Sequence, residues 1–225
     1  MDLVLLEPVA GGLRVGAEAF RGAPILALAP VRIMLPMLTN VWEIEQAVRL
    51  IRQAMQHLQA DGIAYDSQIP IGGMIEVPAA ALSARAFATR LDFMSLGTND
   101  LVQYTLAIDR VDDEVNYLYD PVHPAVLRLI HEVIASGIAA GIPVSMCGEM
   151  AGDPRYVRLL LGLGLRELSM QPRSLLEVAG ITPRPCTTMG IKPSAPIAWQ
   201  SRGLTILLRT RLQPARTDSS SIRTG

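Results

Sequence analysis

Between residues 31 and 180, short apolar segments alternate with longer ones whose apolar residues recur at helical spacing, and this leaves few folds open. Residues 31–38 read as a buried strand, with Pro36 near its end where a missing N–H does least harm. Asn40 with Glu43 forms a capping box, Asn standing in the Ser/Thr place. From there Val41, Ile44, Val48, Ile51, Met55 and Leu58 define one apolar helical face, ended by Asp61-Gly62. A second strand over 69–77 is followed by an Ala-rich helix that Pro78 opens and that runs to Arg90. A third strand covers 93–96. A polar connection, 109–123, leads to a helix opened by Pro124, with Val126, Leu129, Ile130, Val133, Ile134 and Ile138 on its buried face and Gly141 as its stop. A fourth strand over 143–147, a helix over 153–161, a fifth strand over 167–170 and a last helix opening at 172–179 complete the series. Strand and helix in strict alternation predict right-handed crossovers and a parallel sheet, either doubly wound or closed as a (β/α)8 barrel.

The flanks differ. Residues 1–30 are apolar but broken by Gly11-Gly12, Gly16, Gly22 and three prolines, without a clean period. Residues 181–225 are rich in Pro, Ser and Thr, with seven basic residues from Arg184 to Arg223 against the single acid Asp218, and read as a disordered tail. Three regions result: a lead, 1–30; an α/β domain, 31–180; and the tail, 181–225.

Half of the 225 residues are hydrophobic, ample for a core, and the net charge of −1 provides no basic field for nucleic acid or a membrane surface. The scattered basic residues of the tail lack the interleaved aromatics of a nucleic-acid arm. Two cysteines, Cys147 and Cys186, are too few for a disulfide framework and fit a reducing cytosol. Asp2 and Glu7 stand where a signal peptide needs positive charge, and 3–6 is too short for its apolar core. No apolar run approaches the ~20 residues of a transmembrane helix. A cytoplasmic protein is expected.

Thr98-Asn99-Asp100 falls just past the carboxyl end of the third strand, the edge at which parallel α/β sheets bind ligands. On local physics alone, Thr98 or Asn99 serves equally well as the cap of the next helix. Asp112-Asp113 reads as a solvated loop, and Gly162-Leu163-Gly164 lacks the Lys-Ser or Lys-Thr of a phosphate loop.

The segment from Asp92 through Gly97-Thr98-Asn99-Asp100-Leu101 to Arg110 resembles the signature of the phosphoenolpyruvate (PEP)-utilising enzymes. Gly73-Met74-Ile75-Glu76-Val77-Pro78 and Ser145-Met146-Cys147-Gly148-Glu149-Met150 agree with it. With Tyr119-Asp120-Pro121-Val122-His123-Pro124, the likeness is greatest to Enzyme I of the bacterial phosphotransferase system. The resemblance covers roughly 31–180. It implies a barrel of the phosphoenolpyruvate/pyruvate type, of which these are the last five β/α units. It also implies Glu76 and Asp100 as Mg2+ ligands, Asn99, Asp100 and Arg110 as substrate-binding residues, and Cys147 as the acid that protonates the enolate. The implied partners are PEP and pyruvate, a histidine phosphocarrier protein and a second copy of the chain. Without the motif, Arg110 reads as a surface residue paired with Asp109, and Cys147 as an inert buried thiol. Cys186 stands outside every motif.

The family's first three barrel strands carry further substrate-clamping arginines, and Arg14, Arg21 and Arg32 have no such motif around them. Nothing around His57, His123 or His131 resembles a phosphorylated histidine. His57 and His131 read as solvated helix residues and His123 as a loop residue. A five-strand barrel would have open edges and an incomplete site. Two other readings stay open: the corresponding part of a PEP synthase or pyruvate phosphate dikinase, and a non-catalytic remnant that binds PEP or a partner.

Overall fold

The structure, a computed structural model, describes residues 3–5, 8–9, 12–13, 32–109, 112, 114–181 and 205–208. Five parallel strands form its centre: β4 (Arg32–Leu35), β5 (Ile71–Ile75), β6 (Phe93–Gly97), β7 (Val144–Cys147) and β8 (Glu167–Met170). Two short strands outside the alternating region, β1 (Leu3–Leu5) and β9 (Thr205–Leu208), pair in parallel with β4 and β8. The edges expected to be open are therefore both paired, since an apolar segment of three or four residues is enough to take up the free N–H and C=O groups of an edge. A separate two-stranded hairpin joins β2 (Pro8–Val9) and β3 (Gly12–Leu13). The expected tail thus contains one strand; 182–204 and 209–225 lie outside the described residues, as does most of 1–30.

The strand order is β1-β4-β5-β6-β7-β8-β9 and never reverses. A doubly wound sheet has a point where the order turns back; a barrel does not. The sheet also curls. Glu167 on β8 responds to the charge of Arg32 on β4, four strands away, which along a flat sheet would be roughly 19 Å. Register partners share a face, so the lumen side carries Arg32 and Met34, then Gly72, Met74 and Glu76, then Phe93, Ser95 and Gly97, then Ser145 and Cys147, and finally Glu167 and Ser169. Gly72 is needed there, because a Cβ would come within 2.4 Å of the Phe93 ring, over which the Arg32 guanidinium stands at 5.2 Å.

The opposite face, with Ile33, Leu35, Ile75, Met94, Leu96, Met146 and Leu168, is covered by helices and forms the main core. Helix α1 (Val41–Ala60) starts at the expected capping box, Asn40 accepting from Trp42 N and Glu43 from Asn40 N, and buries Ile44 and Ile51. The long helix expected after Pro78 is two: α2 (Pro78–Leu82) and α3 (Ala84–Ala88), parted where Ser83 adopts φ −97° and ψ 7°. Next come α4 (Thr98–Leu106), α5 (Pro124–Ala140), α6 (Pro154–Gly162) and α7 (Leu175–Ile181), the last preceded by a 3-10 turn, Pro172–Ser174, in place of a helical start. On α5, Val126, Ile130, Val133 and Ile134 are buried as expected, whereas Ile138 is 65% exposed, because at this turn of the helix Gly137 is the residue that faces the sheet, against Val144. Among the described residues no helix is long and apolar enough to cross a membrane.

Candidate functional site

The carboxyl ends of β5, β6 and β7 carry the polar residues of interest. Glu76 follows β5 directly and is 4% exposed. Its Oε1 accepts the backbone N–H of Met37 at 2.7 Å. Met37, in the turn after β4, has φ 53°, a left-handed conformation unfavourable for a side-chain-bearing residue. The turn holds its N–H toward Glu76. On the other side Gly97 leaves the space Glu76 occupies: a Cβ there would lie 2.8 Å from Glu76 Cβ and 2.9 Å from its Oε2.

Asp100, half-buried in the first turn of α4, stands beside the same carboxyl group. Burial pushes the Glu76 carboxyl above the ordinary glutamate range, the Met37 N–H opposes this, and the negative charge of Asp100 adds to the rise. Two carboxyl groups are held together where a cation would relieve both.

Neither alternative cap at the start of α4 is used. Gly97 is the N-cap and no side chain caps the helix. Thr98 Oγ1 instead donates to the carbonyl of Cys147 at 3.0 Å, and Asn99 Oδ1 accepts the backbone N–H of Glu149 at 2.9 Å. Gly148, between them, has φ 101°, and a Cβ would meet Thr98 Oγ1 at 2.5 Å and Asn99 Oδ1 at 2.9 Å. The loop after β7 is thus bolted to the start of α4. With its oxygen committed, Asn99 has its amide NH2 left to donate to a ligand.

Cys147 closes β7, half-buried, with Gly97 as register partner. Glu76, Asn99, Asp100 and Cys147 therefore share one mouth of the barrel. Arg110 lies outside the described residues, as do Arg14, Arg21, Asp113 and Cys186. His57 and His131 are exposed on helices; His123 is the N-cap of α5, its Nδ1 accepting from Ala125 N at 3.2 Å. Asp112 turns the loop locally, its Oδ1 accepting from Glu114 N. Residue spacing did not reveal Met37, Ser95, whose hydroxyl reaches Cys147, or the tie between Thr98 and the Cys147 carbonyl.

No group of three or more His, Cys, Asp and Glu side chains able to hold a metal occurs among the described residues. Mg2+ does not require one: it commonly takes one or two protein carboxylates and fills its octahedron with water and substrate oxygens. The paired acids at Glu76 and Asp100, hard oxygen donors with one of them destabilised as an anion, fit such an ion.

The family profile described as PEP-utilising enzyme, PEP-binding domain, matches residues 13–182. A phosphoenolpyruvate-protein phosphotransferase of Cupriavidus necator is 54% identical over 152 residues, which is 68% of this chain and 26% of that protein. The one of Streptococcus equinus is 46% identical over 151 residues, 67% of this chain and 26% of that protein. The chain spans about a quarter of the length of these relatives. Among solved structures, a citrate lyase of Burkholderia xenovorans superposes with a TM-score of 0.51 at 21% identity, covering 69% of this chain and 49% of that one. A malate synthase of Haloferax volcanii gives 0.50 at 16%, covering 72% and 47%. At such identities they speak for the fold alone.

Proposed function

Because the chain belongs to the PEP-utilising enzyme family, by way of its PEP-binding domain, we propose that it is the catalytic PEP-binding part of a phosphoenolpyruvate-protein phosphotransferase. In that reaction the phosphoryl group leaves PEP for a histidine supplied by another domain, and the enolate left behind is protonated to pyruvate. The observation that carries the reading is the shared mouth: the Glu76–Asp100 pair, the clamped Asn99 and Cys147, at the ends of three adjacent strands.

Glu76 and Asp100 would hold Mg2+, which when bound neutralises the phosphate and carboxylate charge of PEP. Asn99, its oxygen fixed by Glu149, presents its amide to a phosphate oxygen. Arg110 supplies the planar fork for the same group. The Cys147 thiol gives its proton to C3 of the enolate, and the S–H bonding pair stays on sulfur until water restores the proton. By the family resemblance, the phosphate passes on to a small histidine phosphocarrier protein, and the barrel domain pairs with a second copy.

The relatives' names favour this over a PEP synthase or dikinase. The test is complementation. Combined with the remaining portion of the Cupriavidus necator relative, the chain should release pyruvate from PEP in a Mg2+-dependent manner, without ATP or AMP. Folded chain that binds PEP but releases no pyruvate would make it a binding remnant.

A further inference from the structure

Below Cys147, on the lumen face of β6, lies Ser95, 4% exposed, whose hydroxyl donates to the Cys147 sulfur at 3.8 Å. The two are not register partners: Ser95 stands beside Ser145, and Cys147 beside Gly97. The contact runs diagonally, and Gly97 places no side chain next to the sulfur. The neighbouring hydroxyl of Ser145 is directed elsewhere, to the carbonyl of Met94 at 3.5 Å. Cys147 is thus anchored twice from the β6–α4 segment, its carbonyl by Thr98 and its sulfur by Ser95.

We propose that Ser95 is a positioning residue for proton transfer by Cys147, an inference that rests on the reading of Cys147 as the enolate-protonating acid. As a donor, the Ser95 hydroxyl engages a sulfur lone pair from the lumen side and fixes where the sulfur sits at the mouth. When the S–H bond breaks and its proton goes to C3, the electron pair remains on sulfur as a thiolate. The same O–H then stabilises the new charge without moving, as a preorganised donor does. In the reverse direction, the thiolate takes a C3 proton from pyruvate, and the hydroxyl holds it in line.

The test needs only this chain, Mg2+ and pyruvate, with the exchange of pyruvate methyl protons into D2O followed by NMR. Cys147→Ala should abolish exchange. Ser95→Ala should lower the maximal exchange rate about tenfold, short of the ~10²-fold that a full 1 Å misplacement can cost, with the half-saturating pyruvate concentration unchanged; Ser95→Thr, which keeps the hydroxyl, should restore most of it. Independently, the alkylation rate of Cys147 by iodoacetamide, read site by site by mass spectrometry, should fall several-fold in Ser95→Ala while that of Cys186 stays constant, because a thiolate that loses a donor is less populated. Exchange that depends on Cys147 but is the same in Ser95→Ala overturns the inference alone. Exchange that is absent, or indifferent to Cys147→Ala, contradicts the proposed acid and takes the inference with it. Unchanged alkylation at Cys147 in Ser95→Ala also overturns the inference, whatever the exchange shows.

Discussion

Asn99 Oδ1 accepts the backbone N–H of Glu149 at 2.9 Å, fastening the loop that bears Cys147 to the helix start that bears Asp100. We propose two tasks for this side chain, bracing the loop through its oxygen and meeting ligand through its nitrogen. Asn99→Asp keeps the acceptor and removes the donor: the melting temperature should stay within a few degrees of the unaltered chain while PEP binding weakens. Asn99→Ala removes both, costing about 1 kcal/mol or more of stability as the Glu149 N–H loses its partner. Equal PEP affinity in Asn99→Asp and the unaltered chain would rule out the ligand contact.

Gly148 is required for its backbone and for its lack of a side chain. At φ 101° with Thr98 Oγ1 2.5 Å from any Cβ, Gly148→Ala should lose about 1–3 kcal/mol in denaturant unfolding. It should also move Cys147, so that its alkylation rate changes. Gly62→Ala is a control: it shares the positive φ but has nothing within 4 Å of its Cβ, and should cost less.

How far the sequence discloses this site depends on the span of each contact. Glu76, Asn99, Asp100 and Cys147 stood out through the motifs that resemble the PEP-utilising enzymes; the strand end alone drew attention only to Thr98-Asn99-Asp100, and without the motif Cys147 reads as an inert buried thiol. The capping box at Asn40 and Glu43 was legible because it is local. Met37, Ser95 and the Thr98–Cys147 tie depend on contacts spanning 39 to 52 residues of chain, which no local spacing encodes. The strands β1 and β9 are a few residues long and are defined by the edges they pair with, so neither has a period to find. The break at Ser83 is equally hidden, because an Ala-rich run either side of it is helical by propensity.

Glu167 provides a pH-dependent prediction. Burial raises its carboxyl above the ordinary range, partly offset by Arg32. Below about pH 4.5 the group is protonated in folded and unfolded chain alike and costs nothing. As pH rises through the ordinary value toward the raised one, the folded chain keeps a proton the unfolded chain has released, so stability falls. Glu167→Gln should therefore gain on the unaltered chain as pH rises from 4 to 7. A difference that stays flat with pH, or shrinks, would contradict the burial argument.

Gly72 and Phe93 should behave as one unit. Gly72→Ala brings a methyl within 2.4 Å of the Phe93 ring and should destabilise by about 1–3 kcal/mol, as overpacking does. Combining it with Phe93→Leu should cost less than the sum of the two single changes. Strict additivity in denaturant melts would place the ring elsewhere.

Glu76 and Asp100 are proposed to form a Mg2+-dependent PEP site. Its most direct measurement is thermal unfolding of the 225-residue chain in buffer, with Mg2+, and with Mg2+ plus PEP, beside Asp100→Ala. At a hundred times its dissociation constant, a ligand stabilises by ~2.7 kcal/mol, a shift of several degrees. That shift is expected with Mg2+ and PEP together, a small one with Mg2+ alone, and neither in Asp100→Ala. A PEP shift of the same size without Mg2+, or one that survives in Asp100→Ala, would contradict the proposed site.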